Sequence, residues 1–599
     1  MNYPDQNTDS DLWFWCPSIA CWLFSIIVVA QMIYSSNCFL RIREKYRATL
    51  ERSPSRLESL ISRTLLIRVD RVSQGDEKIK YLIDHFSKTT CQQIIFGQYN
   101  EYTAYLVKEY NETFGKLELA VKKSEKASFS ILRKNKEAER IDRYNHQLAS
   151  LDKSIRRSLS QLRNANYLFA VYADKQTASH AYSALKIKTR EKHPVIYDVG
   201  FAPHPRDIIW QSMHLDNESL RLKRRFGRGL FFSFLFVGMI PICVIAAFSN
   251  LINIFRILRK PLEDYRVILD LMQSYFAPWF MFLFFAASTQ LVRWISHQQA
   301  LKTESSLEQD TVIKTYALFI IDHLAAFTTF NTMISILGQM SDITPGLKGL
   351  MMSNYVYQIG KNVASSSIYW INYTCINTVS LLFSLLRPLS MLKRKSRLEK
   401  FGFSKNYALV LSLFTSTLAY SVTAPIVLPF SLIYFGTAII VFKYKLVYVY
   451  SVRVDTFGRL WPSLYCLTVI SVIVFQLIMI ITLRLKGSGI QVYVLIPLPL
   501  LTALTLIYGW ILFRRMSLSV GWYTEMEEPR SECIEEIYRD PVLTRPVQKT
   551  MDIKKPAQDV PYNPYFETPS GTSHVENTEP SAPALFTLLE AERTSIYKE

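Results

Sequence analysis

Long uncharged segments recur along the chain and decide its fold class. No Asp, Glu, Lys or Arg occurs in 12–40, 229–255, 271–292, 362–386, 406–442, 460–483 or 487–513. A helix of about 20 apolar residues crosses the hydrocarbon core of a bilayer. Backbone at that depth must satisfy its own hydrogen bonds, and these segments are much longer than barrel strands. The pattern predicts a polytopic α-helical membrane protein and excludes a soluble enzyme, a secreted disulfide scaffold and a disordered protein.

The longest uncharged segment, 406–442, is too long for one crossing. As a single helix it would measure about 55 Å at 1.5 Å per residue, against a core of about 30 Å. Pro425 and Pro429 lie in its middle, where a turn would fall. Basic residues flank both ends, so we predict a helical hairpin. Nine spans result, at about 12–34, 229–250, 272–295, 314–338, 357–386, twice within 406–442, 462–483 and 491–513.

Charge is distributed unevenly and indicates which segments are cytosolic. The net charge is +19, with 37 basic against 22 acidic residues in 35–228 and 8 against 15 in 516–599. Cytosolic loops carry the excess of Lys and Arg. The predicted organisation is an extracytosolic segment 1–11, a first span 12–34, a cytosolic domain 35–228, a transmembrane region 229–514 of eight helices, and a disordered acidic cytosolic tail 515–599.

The cytosolic segment has the pattern of a small α+β domain. Strand patterns at 63–69, 90–96, 166–173 and 193–200 alternate with helical patterns at 75–86, 101–163 and 174–186. This is the split ferredoxin-like, or RNA-recognition-like, order with a long helical insertion. Tyr167, Phe169 and Tyr172 could stack on bases, but the basic-Gly-aromatic-Gly start that such domains use is absent. We therefore expect anionic lipid headgroups as the partner of this basic domain, and no nucleic acid.

Sequence signals of catalysis, cofactors and metals are missing. The chain has no GxxxxGK[ST], HExxH or EF-hand loop, and its nine histidines are dispersed. Its eight cysteines form no CxxC pair. We predict that the protein is not an enzyme and binds no cofactor.

Four stretches together resemble one known family. They are the exit of the first span, NYLFAVYADKQTASHAYSAL (166–185), FAPHPRDIIWQSM (201–213) with the helix that follows at 222–250, and YSVTAPIVLPFSLIYFGTAIIVFKYKLVYVYSVRVDTFGRLWP (420–462). The third and fourth stretches are specific to this family, and the fourth has the form that fungal members of the family show. The chain is similar over about 12–515 to the hyperosmolality- and stress-gated, calcium-permeable cation channels.

The resemblance implies a function and several properties. It implies a mechanically or osmotically gated, non-selective channel that passes Ca²⁺, K⁺ and Na⁺, works as a homodimer and lies among membrane lipids, with the plasma membrane expected before an internal one. The family has eleven helices, so this chain would start at the third, as a truncated gene product or a shortened member. Two alternatives stay open: a scramblase-like, lipid-conducting protein, and a non-conducting trafficking or scaffold protein.

Polar side chains within the predicted spans are the candidates for lining a pore. Ionisable groups within a span are costly and usually face a cavity or a partner. The candidates are Gln290, Asp322, Asn331, Ser365, Tyr369, Asn372 and Asn377. Amide, hydroxyl and carboxylate oxygens can solvate a partly dehydrated cation. The alternative for the amides and hydroxyls is hydrogen bonding between helices, and for Asp322 a buried pair with His323 or with a base.

The segment before the second span is the candidate for coupling the cytosolic domain to the membrane. Pro203 and Pro205 stiffen it, Arg206 with Asp207 can pair at the interface, and Trp210 suits headgroup depth. The alternative is a simple structural linker.

Overall fold

The computed structural model describes residues 15–52, 60–69, 76–126, 131–191, 195–258, 266–341, 367–386, 399–451, 458–485, 490–518 and 538. They belong to two compact units. The first is built from 1–41, 58–94 and 166–525, and the second from 42–57, 95–165 and 526–599.

The amino-terminal third alternates helices with four short strands. In chain order these elements are α1 (Trp15–Arg52), β1 (Thr64–Val69), α2 (Asp76–Ser87), β2 (Gln93–Tyr99), α3 (Glu101–Lys126), α4 (Ile131–Leu159), β3 (Arg163–Val171), α5 (Lys175–Arg190), β4 (Ile196–Phe201) and α6 (Trp210–Met213). Each strand lies close to its predicted position. The predicted helical insertion 101–163 is two helices, α3 and α4.

The four strands form one sheet in the order β2-β3-β1-β4. The central strand β1 is antiparallel to both β3 and β4, and Arg68 stands opposite Tyr167 on one side and Asp198 on the other. Side chains alternate between the faces of a sheet, so Leu66 and Arg68 share one face. Every residue of β1 is buried.

The aromatic residues that raised the possibility of RNA stacking lie inside the protein. Tyr167, Phe169 and Tyr172 are all buried, and the Phe169 ring is 6.4 Å from that of Trp210 in α6. A base can stack only on an exposed ring. In this arrangement the three rings stabilise the domain core.

In the second unit, α3 and α4 pack on each other through apolar side chains. Leu117, Ala120, Ile141 and Leu148 form one buried cluster of this pair. Near the ends of the two helices, the hydroxyls of Thr103 and Ser158 are 2.7 Å apart. The 3.6-residue periodicity of apolar positions therefore explains why α3 and α4 pack on each other.

The described residues in the rest of the first unit are almost all helical. In chain order its helices are α7 (Asn217–Phe248), α8 (Leu251–Ile257), α9 (Arg266–Leu271), α10 (Ala277–Gln298), α11 (Glu304–Leu318), α12 (Phe327–Ser341), α13 (Ser367–Phe383), α14 (Phe403–Ser421), α15 (Val427–Tyr444), α16 (Trp461–Leu485), α17 (Ile490–Leu495) and α18 (Pro497–Leu518). Two short strands, β5 (Glu399–Lys400) before α14 and β6 (Tyr450–Ser451) after α15, pair with each other. π-Helical segments join α9 to α10 and α11 to α12, at Met272–Phe276 and Phe319–Ala326.

The chain is a multi-pass membrane protein. Within the described residues, seven helices are long and apolar enough to cross a membrane: Trp15–Lys45, Asn217–Phe248, Val267–Gln298, Glu304–Leu337, Val427–Val449, Trp461–Arg484 and Ile490–Phe513. Two further helices, α13 and α14, stand where the sequence predicts spans, and 17 residues of α13 are described. The total of nine crossings therefore stays a prediction.

Aromatic side chains dominate the core of the helical bundle. Trp370 and Tyr373 of α13 are fully buried with Phe319, Phe327 and Tyr434 from three neighbouring segments. The Trp370 ring is within about 6 Å of several of these rings in edge-to-face arrangements. Lipid tails are as apolar as these side chains, so close van der Waals packing, rather than exclusion of water, holds such helices together.

The segment 403–444 consists of two helices joined by a short turn. Pro425 lies in the turn, and Pro429 is the third residue of α15. The amide of Leu428 donates to the carbonyl of Pro425 at 3.0 Å. The first helical turn leaves backbone N–H groups unpaired in any case, so proline there costs little. A 2.7 Å hydrogen bond from Thr417 to Ser431 ties the two helices together.

Candidate functional site

A π-helical segment in the middle of the bundle carries the deepest charged side chains. Phe319–Ala326 continues α11 into α12 and contains Asp322 and His323, both fully buried. A π-turn widens the helix locally and interrupts the regular i→i−4 hydrogen bonds, and such segments occur frequently at functional sites. Asp322 and His323 therefore lie where the regular hydrogen bonding of the helix is interrupted.

The carboxylate of Asp322 lies against the backbone of α7 at Gly238. A Cβ atom added to Gly238 would be 2.6 Å from Asp322 Oδ2, so the absence of a side chain there makes room for the carboxylate. Neither carboxylate oxygen has a hydrogen-bond partner among the described residues. A buried, unpaired carboxylate costs several kcal/mol. A counter-charge that enters the bundle would offset this cost.

His323 stands among aromatic rings rather than beside its acidic neighbour. Its ring centroid is 5.4 Å from those of Phe284 and Phe285 in α10, and 5.8 Å from that of Phe319. No ion pair between Asp322 and His323, or between Asp322 and a base, occurs in the described part of the chain. The alternative of a buried Asp322 pair is therefore not what the structure contains.

Asn331 links two helices near one end of the bundle. Its Oδ1 accepts hydrogen bonds from Asn250 Nδ2 at 2.5 Å and from Ser249 Oγ at 3.1 Å. Asn250 also donates to the carbonyl of Ala246. Asn331 therefore takes part in hydrogen bonding between segments of the bundle, which is the alternative to pore lining given above for the amide side chains.

The remaining candidates divide between buried and exposed positions. Asn377 and Tyr369 are buried in α13, where Tyr369 stacks on Phe327 at 4.3 Å. Asn372 is half-buried and donates to the carbonyl of Ser274 at 2.8 Å. Gln290 is exposed on α10, so it does not join the others. Ser365 lies outside the described residues.

Few groups in this region could hold a resident metal. Among the residues that the structure describes, no three His, Cys, Asp or Glu side chains are grouped as a metal site would require. Asp322 offers one carboxylate, with the buried amide of Asn377 elsewhere in the bundle.

The segment after β4 contacts the loop before α11 and the first turn of that helix. Asp207 is buried, and its Oδ1 accepts from the amide and the hydroxyl of Ser305 at 2.8 and 2.9 Å. The amide of Ile209 donates to the carbonyl of Lys302 at 3.0 Å. Asp207 thus satisfies an N–H group in the first turn of α11, the helix that leads directly to Asp322. Burial outweighs these two hydrogen bonds and raises the pKa of Asp207.

The other candidates for coupling surround this contact. Pro203 and Pro205 are buried, and Pro205 begins a short 3₁₀ turn. Arg206 is exposed, and its amide donates to His204 Nδ1 at 3.2 Å. Trp210 is half-buried against Phe169 of the sheet, which accounts for its place in the fold without headgroup contact.

A charged group that sequence reasoning missed joins the sheet to the same loop. Lys302 forms an ion pair with Asp198 of β4, which stands opposite the buried Arg68. Burial lowers the pKa of Arg68 to about 10 and also lowers that of Lys302, while Asp198 acts in the opposite direction on both. Only the cross-strand register brings these residues together, and no local pattern indicates it.

His214, just after α6, makes the stability of this region depend on pH. Burial lowers its pKa from 6.5 to about 4; a backbone hydrogen bond at Trp210 acts in the opposite direction, and nearby Lys223 adds a smaller lowering. The unfolded chain then binds more protons than the folded one between pH 6.5 and pH 4, so stability falls as pH falls through this window.

We expect the substitution His214→Gln to remove part of this acid sensitivity. The slope would decrease by up to about 1.4 kcal/mol per pH unit between pH 6.5 and 4. Thermal unfolding of the purified protein in detergent across that range measures it. Identical pH slopes for the two proteins would show that His214 titrates normally.

Two family models match the chain. The one described as "Calcium-dependent channel, 7TM region, putative phosphate" matches residues 223–483. The one described as "Cytosolic domain of 10TM putative phosphate transporter" matches residues 62–212. The first contains Asp322 and the helices around it, and the second contains the sheet and the docking segment with Asp207.

Curated relatives match the chain at low identity over much of its length. Hyperosmolality-gated Ca²⁺ permeable channel 1.6 of Arabidopsis thaliana is 23% identical over 390 residues, 61% of this chain and 50% of that protein. Channel 1.5 of the same plant is 23% identical over 520 residues, 80% and 66% respectively. CSC1-like protein ERD4 of Brassica juncea is 21% identical over 386 residues, 61% and 51%. The chain thus spans about half to two thirds of the length of these three relatives.

Proposed function

We propose that the chain is a non-selective, calcium-permeable cation channel opened by osmotic or mechanical stress, because two channel and transporter family models match 223–483 and 62–212 and its relatives are named as hyperosmolality-gated Ca²⁺ permeable channels. The observation that carries this proposal is Asp322. It is a fully buried carboxylate without a hydrogen-bond partner among the described residues, in a π-helical segment of the bundle. A cation crossing the bundle would supply the missing counter-charge.

The charge of the bundle favours a cation over phosphate, which both family descriptions mention. In the central part of the described spans, Asp322 is the only acidic side chain, and no Lys or Arg lies near its depth. The nearest buried base along the same helix, Lys314, is eight residues away and already pairs with Asp310. A lone carboxylate attracts cations and repels phosphate in a low-dielectric interior.

The layout that accompanies this function is also a proposal. We infer nine crossings with the amino end outside, a split ferredoxin-like cytosolic domain, a homodimer and residence in the plasma membrane. The strand order β2-β3-β1-β4 with antiparallel neighbours supports the ferredoxin-like topology. Helices α13 and α14 support the two crossings beyond the seven long apolar helices.

Lipid scrambling is the main rival, and the burial of the polar residues argues against it. A scramblase needs a polar furrow that opens to lipid. Asp322, Asn331 and Asn377 are all buried, and the exposed Gln290 stands apart from them. A scaffold role would leave the buried carboxylate without any purpose, since such a group costs free energy.

Reconstituted protein distinguishes these functions. The purified full chain in liposomes should conduct Ca²⁺ and K⁺ under hyperosmotic shrinkage or membrane tension, without phosphate uptake and without flipping of a fluorescent lipid. Lipid flipping without calcium flux would favour the scramblase, and phosphate uptake without cation flux would favour a transporter. A properly inserted protein with none of these activities would leave the scaffold role.

Gly238 provides a test of the space around Asp322. We expect Gly238→Ala to lower calcium conductance several-fold, because the new methyl group would stand 2.6 Å from Asp322 Oδ2 and would force the carboxylate to move. Single-channel recording in bilayers measures the change.

Gly229→Ala is the matched control for this substitution. It lies on the same helix, and an added Cβ atom there meets nothing within 4 Å. Both substitutions raise helix propensity similarly. Equal conductance in the two variants would contradict a functional position for the Asp322 carboxylate.

A further inference from the structure

The cytosolic start of α7 carries a dense group of exposed bases that no described residue neutralises. Between Leu220 and Leu230 there are five bases and no acid: Arg221, Lys223, Arg224, Arg225 and Arg228. All five are exposed, and none forms a salt bridge with a described residue. The uncharged part of the helix starts directly afterwards, at Gly229. These bases therefore stand at the point where α7 enters the membrane.

The exposed apolar stripe of α7 continues through this basic segment. Phe236 and Ile240 are 71% and 66% exposed within the span, and Leu222 and Phe226 are 65% and 64% exposed in the basic segment. At 100° per residue all four lie on one side of the helix. A side that meets lipid tails along the span therefore remains apolar for about two more turns toward the cytosol.

Three of the bases flank that apolar stripe. Arg221, Arg225 and Arg228 follow one another at steps of four and three residues along one edge of the stripe, about 60° to 120° around the helix from Leu222. Arginine can bury its stem along an apolar surface and keep its charged end in the headgroup layer. Arg221 is eight residues before Gly229, a rise of about 12 Å, so all three charges stay close to the membrane surface.

Arg224 stands on a different side of the helix, toward the protein. It shares a stripe with the buried Leu220 and Gly227, and it lies close enough to Arg68 and Lys302 to interact with both electrostatically. Asp198 is the acid that acts on those two bases. This excess of positive charge attracts an anion to the same end of α7.

We propose that the start of α7 is a binding site for an anionic phospholipid of the cytosolic leaflet. The headgroup phosphate contacts Arg221, Arg225 and Arg228, and the acyl chains run from Phe226 along the exposed apolar stripe toward Phe236 in the span. A free phosphate ion would satisfy the bases but would not need the apolar stripe beside them. The apolar stripe therefore selects a lipid over a soluble anion.

The proposal is tested with the full chain in vesicles that contain spin-labelled lipid. We expect the protein to retain spin-labelled phosphatidylserine in preference to phosphatidylcholine, and the triple variant R221Q/R225Q/R228Q to lose about fivefold or more of this preference. The arginine-to-lysine triple variant R221K/R225K/R228K keeps the charge and should keep the preference. It also shows whether loss of binding reflects loss of folding.

Two further arms separate the site from general attraction. The control K153Q/R156Q/R157Q removes three exposed bases of α4, and it should leave the preference unchanged. Equal loss in the control would assign the preference to net charge and overturn the site. Inorganic phosphate at the same ionic strength as a chloride control should not displace the lipid. Displacement by phosphate would instead indicate a soluble-anion site.

Discussion

In the proposed channel, Asp322→Asn is expected to reduce the permeability to Ca²⁺ relative to K⁺ by about tenfold. The substitution keeps the size of the side chain and removes its charge, so the packing against Gly238 is retained. A divalent ion gains twice as much as a monovalent ion from the same fixed charge, since the Coulomb energy is proportional to charge. A tenfold change corresponds to only about 1.4 kcal/mol. Reversal potentials in bi-ionic solutions measure the ratio directly.

The control for Asp322 is Asp270→Asn. Asp270 is an exposed acid at the start of the π-joined helix pair α9 and α10, and the same chemical change there should leave selectivity unaltered. Asp322→Glu retains the charge and should keep part of the calcium preference. Unchanged selectivity and conductance in Asp322→Asn, at normal surface expression, would remove Asp322 from the conduction path and leave it a structural role.

Hydropathy along the chain was sufficient to predict most of the helical architecture. Six of the seven long apolar helices overlap an uncharged segment, and the seventh, Glu304–Leu337, overlaps the predicted span 314–338. The prolines of 406–442 fall at the turn and in the first turn after it. Local signals determine these features, because each helix satisfies its own backbone. The strands were found for a similar reason, since short apolar runs bounded by polar and turn residues are also local signals.

The faces of the helices were harder to predict than their positions. On a regular helix, Asn331 would lie about 180° around the helix from Asp322 at 100° per residue. The π-helical segment Phe319–Ala326 has more residues per turn, so this angle does not hold. Gln290 was grouped with the pore candidates, yet it lies on the exposed side of α10, opposite the face that buries Met281, Phe285 and Val292.

Contacts between distant segments were invisible to the sequence. The hallmark at 201–213 indicated a joint, but its acceptor, Ser305, is 98 residues from Asp207. Lys302 and Asp198 are 104 residues apart, and neither belongs to a recognisable motif. Such pairs depend on the register of β4 and on the loop before α11, which only the folded chain defines.

Asp207→Ala is expected to raise the membrane tension needed for opening and to lower stability by about 2 kcal/mol. The substitution leaves the buried amide of Ser305 without its acceptor, and an unsatisfied buried N–H costs about 1 to 3 kcal/mol. It also breaks the link from β4 to the first turn of α11, the helix that continues into the Asp322 segment. Patch recordings under graded pressure, together with thermal unfolding in detergent, measure both effects.

Asp207→Asn tests whether opening depends on the hydrogen bonds from Ser305 to residue 207 or on the negative charge of Asp207. Its amide oxygen can still accept from the Ser305 amide and hydroxyl, and a neutral group avoids the burial cost that raises the pKa of the carboxyl. We therefore expect it to open near the wild-type tension, whereas Ser305→Ala, which removes only the hydroxyl, should produce a smaller shift than Asp207→Ala. If Asp207→Ala reaches the membrane and opens at the wild-type tension, the segment 201–213 is only a linker, and force must reach Asp322 through the lipid-facing helices.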